Sequence, residues 1–83
     1  MDLLIFNGAE CDLVLVNGIV PQVAIEIKYS STPKLSRGFY SARTDLNVRK
    51  SFVIVPGSEH YSLEENITVI GLYQFLTNIE KLL

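Results

Sequence analysis

Acids at positions 10, 12 and 26 and a lysine at 28 stand inside runs that are otherwise largely apolar, "GAECDLVLV" and "VAIEIKYS". A charge in such a run must be paired or must bind something, because its lost hydration is costly. Three carboxylates brought together repel one another and raise a pKa unless a cation joins them. A hard divalent cation, magnesium or manganese, accepts carboxylate oxygens, keeps waters, and presents one of them to a phosphodiester phosphorus. Lys28 beside such a centre would position the water, help to deprotonate it, or stabilise the developing negative charge. The plainer alternative is an exposed Glu26–Lys28 ion pair on a solvated strand face, worth little to stability.

Whether Glu10, Asp12 and Glu26 meet depends on the elements that carry them. Asn7-Gly8 and Asn17-Gly18 sit between apolar or alternating runs and supply the positive backbone angles of tight turns. They predict a three-stranded meander over about residues 2–6, 9–16 and 20–29. Side chains alternate across a strand, so Glu10 and Asp12 share one face while Cys11, Leu13 and Leu15 take the other. Glu26 and Lys28 likewise share a face, opposite Ile25 and Ile27. A strict two-residue Asn17-Gly18 loop would set Asp12 against Val23 and send Glu26 to the wrong face. An odd loop such as Asn17 to Ile19 sets Asp12 against Ala24 and Glu10 against Glu26. Pro21 cannot donate to a ladder and favours such a departure or a bulge. The expectation is therefore an odd-length loop or a bulge, with all three acids on one face.

After the meander, "SSTPKLSRGFYSARTDLN" offers Thr32 as N-cap and Pro33 as first helical residue, predicting a helix over about 33–46. Leu35, Phe39, Ala42 and Leu46 form its apolar stripe. Lys34, Arg37 and Ser41 lie on the other side, as a solvated face or as contacts to backbone phosphates. "SFVIVPG" predicts a strand, a loop with Glu59, His60, Glu64 and Glu65 follows, and "NITVIGL" predicts another strand. "LYQFLTNIEKLL" closes the chain as an amphipathic helix. The order is βββαββα, an α/β fold with an antiparallel meander and one helical crossover in a mixed sheet.

Asp12 on a hairpin, Glu26-Ile27-Lys28 on its return strand and a basic helix behind them resemble the D…(D/E)xK signature of the PD-(D/E)XK nuclease superfamily, the restriction-endonuclease-like fold. More narrowly, "GAECDLVLVNG", "VAIEIKYSSTPKLSRGFYSARTDL" and "SFVIVPG" resemble the uncharacterised C-terminal domain that follows the ATPase module of predicted prokaryotic AAA-type ATPases, over about residues 3–76. The resemblance implies a truncated restriction-endonuclease-like core. It also implies Asp12 and Glu26 as magnesium or manganese ligands with the Ile27 carbonyl, Lys28 as catalytic lysine, and Glu10 as an auxiliary acid. Lys34 and Arg37 would meet nucleic-acid phosphates. The activity implied is hydrolysis of phosphodiesters in DNA or another nucleic acid; the alternative is a non-catalytic interaction or regulatory module attached to an AAA-type ATPase. Many nucleases of this superfamily carry a helix before the first strand. Here the predicted first strand begins at residue 2, so one sheet face is expected to be open, and completed by a homodimer or by the rest of a longer protein.

The remaining composition bounds these readings. Eighty-three residues suit one domain, 1–83, and 48% hydrophobic with 19% charged residues suit a folded chain. No window nears the roughly 18–20 apolar residues of a spanning helix, and the N-terminus lacks a signal-peptide pattern, so a cytoplasmic protein without membrane contact is expected. A single cysteine excludes an internal disulfide framework, and Cys11 reads as a small core residue. The net charge of −2 conceals asymmetry: six of the seven Lys and Arg residues fall between positions 28 and 50. Arg49 and Lys50 read as charges flanking a strand and discouraging edge pairing. His60 has no partner at metal-ligand spacing and reads as a surface residue. No aromatic pattern suggests base stacking, and no Walker-type glycine loop is present.

Overall fold

The computed structural model describes residues 2–5, 11–30 and 32–83, the first four by their backbone alone. Alternating or continuous apolar runs become strands β1 (Asp2–Ile5), β2 (Leu13–Asn17), β3 (Val20–Ile27), β4 (Lys50–Val55), β5 (His60–Glu64) and β6 (Ile67–Gly71). Helices α1 (Arg37–Leu46), α2 (Leu72–Thr77) and α3 (Ile79–Leu82) complete the described elements. The strands form one mixed sheet in the order β1-β2-β3-β4-β6-β5. β1, β2 and β3 are the antiparallel meander, β3, β4 and β6 run parallel, and β5 returns antiparallel at the far edge. The small α/β fold and its helical crossover, α1 between β3 and β4, thus match the expectation.

Three details differ from it. The expected loop around His60 is a hairpin, and Asn66, at φ 63°, supplies the left-handed turn position that lets β5 fold onto β6. The helix after the meander starts at Arg37, with Ser36 rather than Thr32 as N-cap: its Oγ accepts from Phe39 N at 3.1 Å. Pro33 is buried and Leu35 packs against the sheet, so this stretch serves as an apolar lead-in before the helix begins. The closing helix divides at Asn78, whose side-chain Nδ2 and backbone N both donate to Gln74 O, at 2.9 and 3.1 Å. Such local side-chain bonds compete with helix continuation.

Helices cover both faces. Phe39 of α1 packs with Cys11, Val14 and Ala24, and Leu35 and Tyr40 extend this layer over Val53, Val55, Ile67 and Val69. On the other face Val23, Ile25, Phe52, Ile54 and Ile70 pack with Phe75 of α2 and with Ile79 and Leu82 of α3. Phe52 and Phe75 meet edge to face with centroids 5.2 Å apart. Each such side chain contributes about 1.5–3 kcal/mol when fully buried. The face expected to lie open is therefore packed. Lys50 and Arg49 also differ from the expectation. β4 is central, and Lys50 Nζ donates to Leu82 O at 2.7 Å, while Arg49 Nε donates to Gln22 Oε1 at 2.9 Å. These two cations tie elements together rather than guard an edge.

Candidate active site

The bulge expected near Pro21 is present, and it decides which side chains share a face. Asn17 pairs with Val20 around a two-residue Gly18-Ile19 turn, with Gly18 at φ 67°. Val16 then pairs with Pro21, but Leu15 pairs with Val23, so Gln22 is an extra residue in β3. Arg49 N, donating to Gln22 O at 3.1 Å, holds the bulged backbone against the approach to β4. The shifted register continues through Leu13 and Ile25, and just beyond it Asp12 and Glu26 come side by side. The partner expected for Asp12 was Ala24. That residue instead faces Val14, because the bulge combines with an even turn rather than replacing it.

Asp12 sits one residue ahead of β2 and completes the ladder with its side chain. Its backbone N donates to Ile25 O at 3.0 Å, and its Oδ2 accepts from Ile27 N at 2.7 Å. Glu26, only 9% exposed, lies under α1 beside Asp12, and the two carboxyl groups share a hydrogen bond. Burial, that bond and the Asp12 charge push the Glu26 carboxyl up to about 7, with Lys28 opposing. The same bond, given by Glu26, holds Asp12 below its usual range against the effect of its own burial, helped by Ile27 N–H and by Lys28. At neutral pH Glu26 therefore titrates beside an ionised Asp12, with Lys28 as the neighbouring cation.

That cation is Lys28, whose backbone N donates to Ile54 O at 2.9 Å just past the end of β3. Lys34 and Arg37 are exposed, in the lead-in and at the first position of α1, and neither is among the charges acting on the two acids. The structure thus unites Asp12, Glu26 and Lys28 and leaves the two further cations apart. Glu10 and Ser31 lie outside the described residues. His60 is exposed on β5, away from other candidate ligands. Cys11 is buried as expected, but with Val14 and Phe39, on the face of Asp12 rather than opposite it. It precedes the regular strand, so strict alternation does not govern it. Burial, then the charges of Glu26 and Asp12, raise its thiol pKa, which suits a packed and inert side chain.

Among the described residues no group of three or more His, Cys, Asp or Glu side chains converges. A pair of carboxylates nevertheless fits magnesium or manganese, which commonly bind one or two carboxylates and fill the other positions with waters and substrate phosphate. The raised Glu26 pKa points the same way, since burial and the neighbouring Asp12 both disfavour its charge. Sequence reasoning missed an apolar pocket on the far side of Lys28, lined by Ile27, Tyr29, Ile54, Pro56 and Leu72. Its walls come from β3, β4 and α2, so no contiguous pattern announces it.

Comparison with known proteins adds kinship. The family described as "Domain of unknown function (DUF4143)" matches residues 6–75. Uncharacterized proteins of Mycobacterium bovis and Mycobacterium tuberculosis are each 33% identical over 71 residues, covering 86% of this chain. The chain spans 16% of the length of these curated relatives. No solved structure matches it. Among the described residues no helix is long and apolar enough to cross a membrane.

Proposed function

The chain belongs to the DUF4143 family, and we propose that it is a metal-dependent nuclease-type domain of the PD-(D/E)XK kind that hydrolyses nucleic-acid phosphodiesters. One observation carries the reading: buried Glu26 stands beside Asp12, which Ile27 N–H holds in place, with Lys28 as the neighbouring cation. A fold has little to gain from two acids set against each other unless a ligand relieves them. The resemblance supports the same reading, since that superfamily sets one acid on a hairpin and an acid and lysine on the return strand before a helix.

Asp12 is oriented by Ile27 N–H, and Glu26 joins it as the second carboxylate ligand once its proton leaves. By resemblance the Ile27 carbonyl would be a third oxygen ligand and Glu10 an auxiliary acid. Magnesium or manganese, when bound, supplies Lewis-acid polarisation of the phosphate and a more acidic water. Lys28 holds a phosphate oxygen or the attacking water and stabilises the charge that develops on phosphorus oxygens. Lys34 and Arg37 would bind backbone phosphates further along the strand, without reading sequence.

The test is incubation of purified protein with single-stranded, duplex and branched DNA and with RNA, with and without manganese, beside Glu26→Gln and Lys28→Ala. Metal-dependent cleavage by the parent that disappears in both variants is expected. Cleavage that persists in both variants would mark a contaminant. A second reading rests on the 16% span: a regulatory module acting within a longer protein, joined to an AAA-type ATPase as the resemblance implies. Absence of both cleavage and metal binding by calorimetry would select it.

A further inference from the structure

The carboxyl ends of parallel strands are where open α/β sheets hold ligands, and here the ends of β3 and β4 border an apolar pocket. Ile27, Tyr29, Ile54, Pro56 and Leu72 line it together with Lys28. Its rim is bare: Tyr29 is 95% exposed, Ile27 56% and Leu72 51%. A tyrosine so exposed contributes little to the stability of the fold and leaves its ring face free for a ligand. Lys28 joins the pocket to the acids, since it lines the first and acts electrostatically on both of the second.

Resting on the nuclease reading above, we infer that this pocket receives one unpaired base of a single-stranded polynucleotide. The base stacks on Tyr29 while its neighbouring phosphate lies against Lys28, toward Asp12 and Glu26. The lining is apolar and offers the flat face of a base what it needs, while it offers a phosphate nothing except the lysine at its edge. Stacking on an aromatic ring accepts any base, because every base has a π-face. A paired base is shielded within its duplex and reaches such a pocket only when unstacked. The division of labour follows the chemistry: cation and acids for the backbone, ring and aliphatic side chains for the base. A second copy of this chain would also cover apolar surface, but it would not explain why the pocket adjoins the one cation that serves the acid pair.

Fluorescence anisotropy in the Glu26→Gln background, which leaves strands uncut, tests this with an oligothymidylate, the same strand bearing an abasic position, and a closed duplex hairpin. Tyr29→Ala is expected to weaken single-strand binding about tenfold and to leave duplex binding within about twofold. Tyr29→Phe should retain the parent affinity, and the abasic strand should reproduce the alanine effect. Unchanged single-strand affinity in Tyr29→Ala, with loss in Lys28→Ala, would overturn the base pocket while the nuclease reading stands. No nucleic-acid binding by the background protein at low salt would overturn both. Sedimentation of the same variants adds one outcome: if Tyr29→Ala converts a dimer to monomer and leaves DNA affinity intact, the occupant is a second copy and the base pocket is wrong.

Discussion

Glu26 and Ser51 are the buried polar side chains among the described residues, on neighbouring strands and beneath the same helix. Ser51 stands across from Ala24 and Glu26 across from Val53, so the two are diagonal neighbours on one sheet face. Their surroundings resolve them differently. Ser51 Oγ accepts from Arg43 Nε at 2.8 Å, a bond supplied by α1 from within the fold. Glu26 meets a second acid, and burial together with that acid lifts its carboxyl to about 7. A buried polar group given its complement is structural; one set beside a like charge is, in the reading proposed above, the one that a ligand would relieve.

The contrast breaks first at activity. Asp12→Asn and Glu26→Gln should each lower metal-dependent cleavage at least about a hundredfold, equivalent to roughly 2.7 kcal/mol of barrier. Removing Arg43 should change cleavage little, measured on the same substrates after confirming fold by circular dichroism.

The next effect is on stability against pH. Glu26 has a folded pKa of about 7 against an ordinary 4.5, so its favourable contribution is full below about 4.5 and is lost as pH rises through about 7. Asp12, held low, works in the opposite sense, with stability lost as pH falls below its ordinary 3.8. Without metal, the parent should therefore lose roughly 1–3 kcal/mol between pH 5 and pH 8 relative to Glu26→Gln, read from urea denaturation. Added magnesium or manganese at pH 8 should restore part of that loss in the parent alone. Parallel curves for the two proteins would show that the acid pair is not in conflict.

The smallest effect concerns the resolved side. Arg43→Met leaves the Ser51 hydroxyl buried without its partner and should cost about 1–2 kcal/mol of unfolding free energy. Adding Ser51→Ala should recover a substantial part, because replacing both members of a hydrogen bond is far less costly than removing one. A single-variant cost with no recovery would mean that Arg43 matters through packing instead.

Much of this was legible in the chain because it is local. Period-two alternation placed Glu26 and Lys28 on one face, Asn17-Gly18 marked the β2–β3 turn while the Asn7-Gly8 turn lies outside the described residues, and helical spacing found the Leu35, Phe39, Ala42 and Leu46 stripe. The β5–β6 hairpin was not legible, since "HYSLEEN" is polar and its pairing depends on β6 lying beside it. The helix start moved from Thr32 to Ser36 because burial of Pro33 and Leu35 outweighed a good capping sequence.

By itself the sequence determined the chemistry on offer: two acids and a lysine at strand spacing, with basic residues gathered between positions 28 and 50. It also contained the condition for their use, since Pro21 favoured a break in the ladder. Only the tertiary structure decided the outcome. The extra residue at Gln22 is fixed by pairing with β2 and by Arg49 near the start of β4, contacts 27 positions apart for the side-chain bond. That shift of one residue put Glu26 on the face of Asp12, where burial disfavours the ionisation of both acids together.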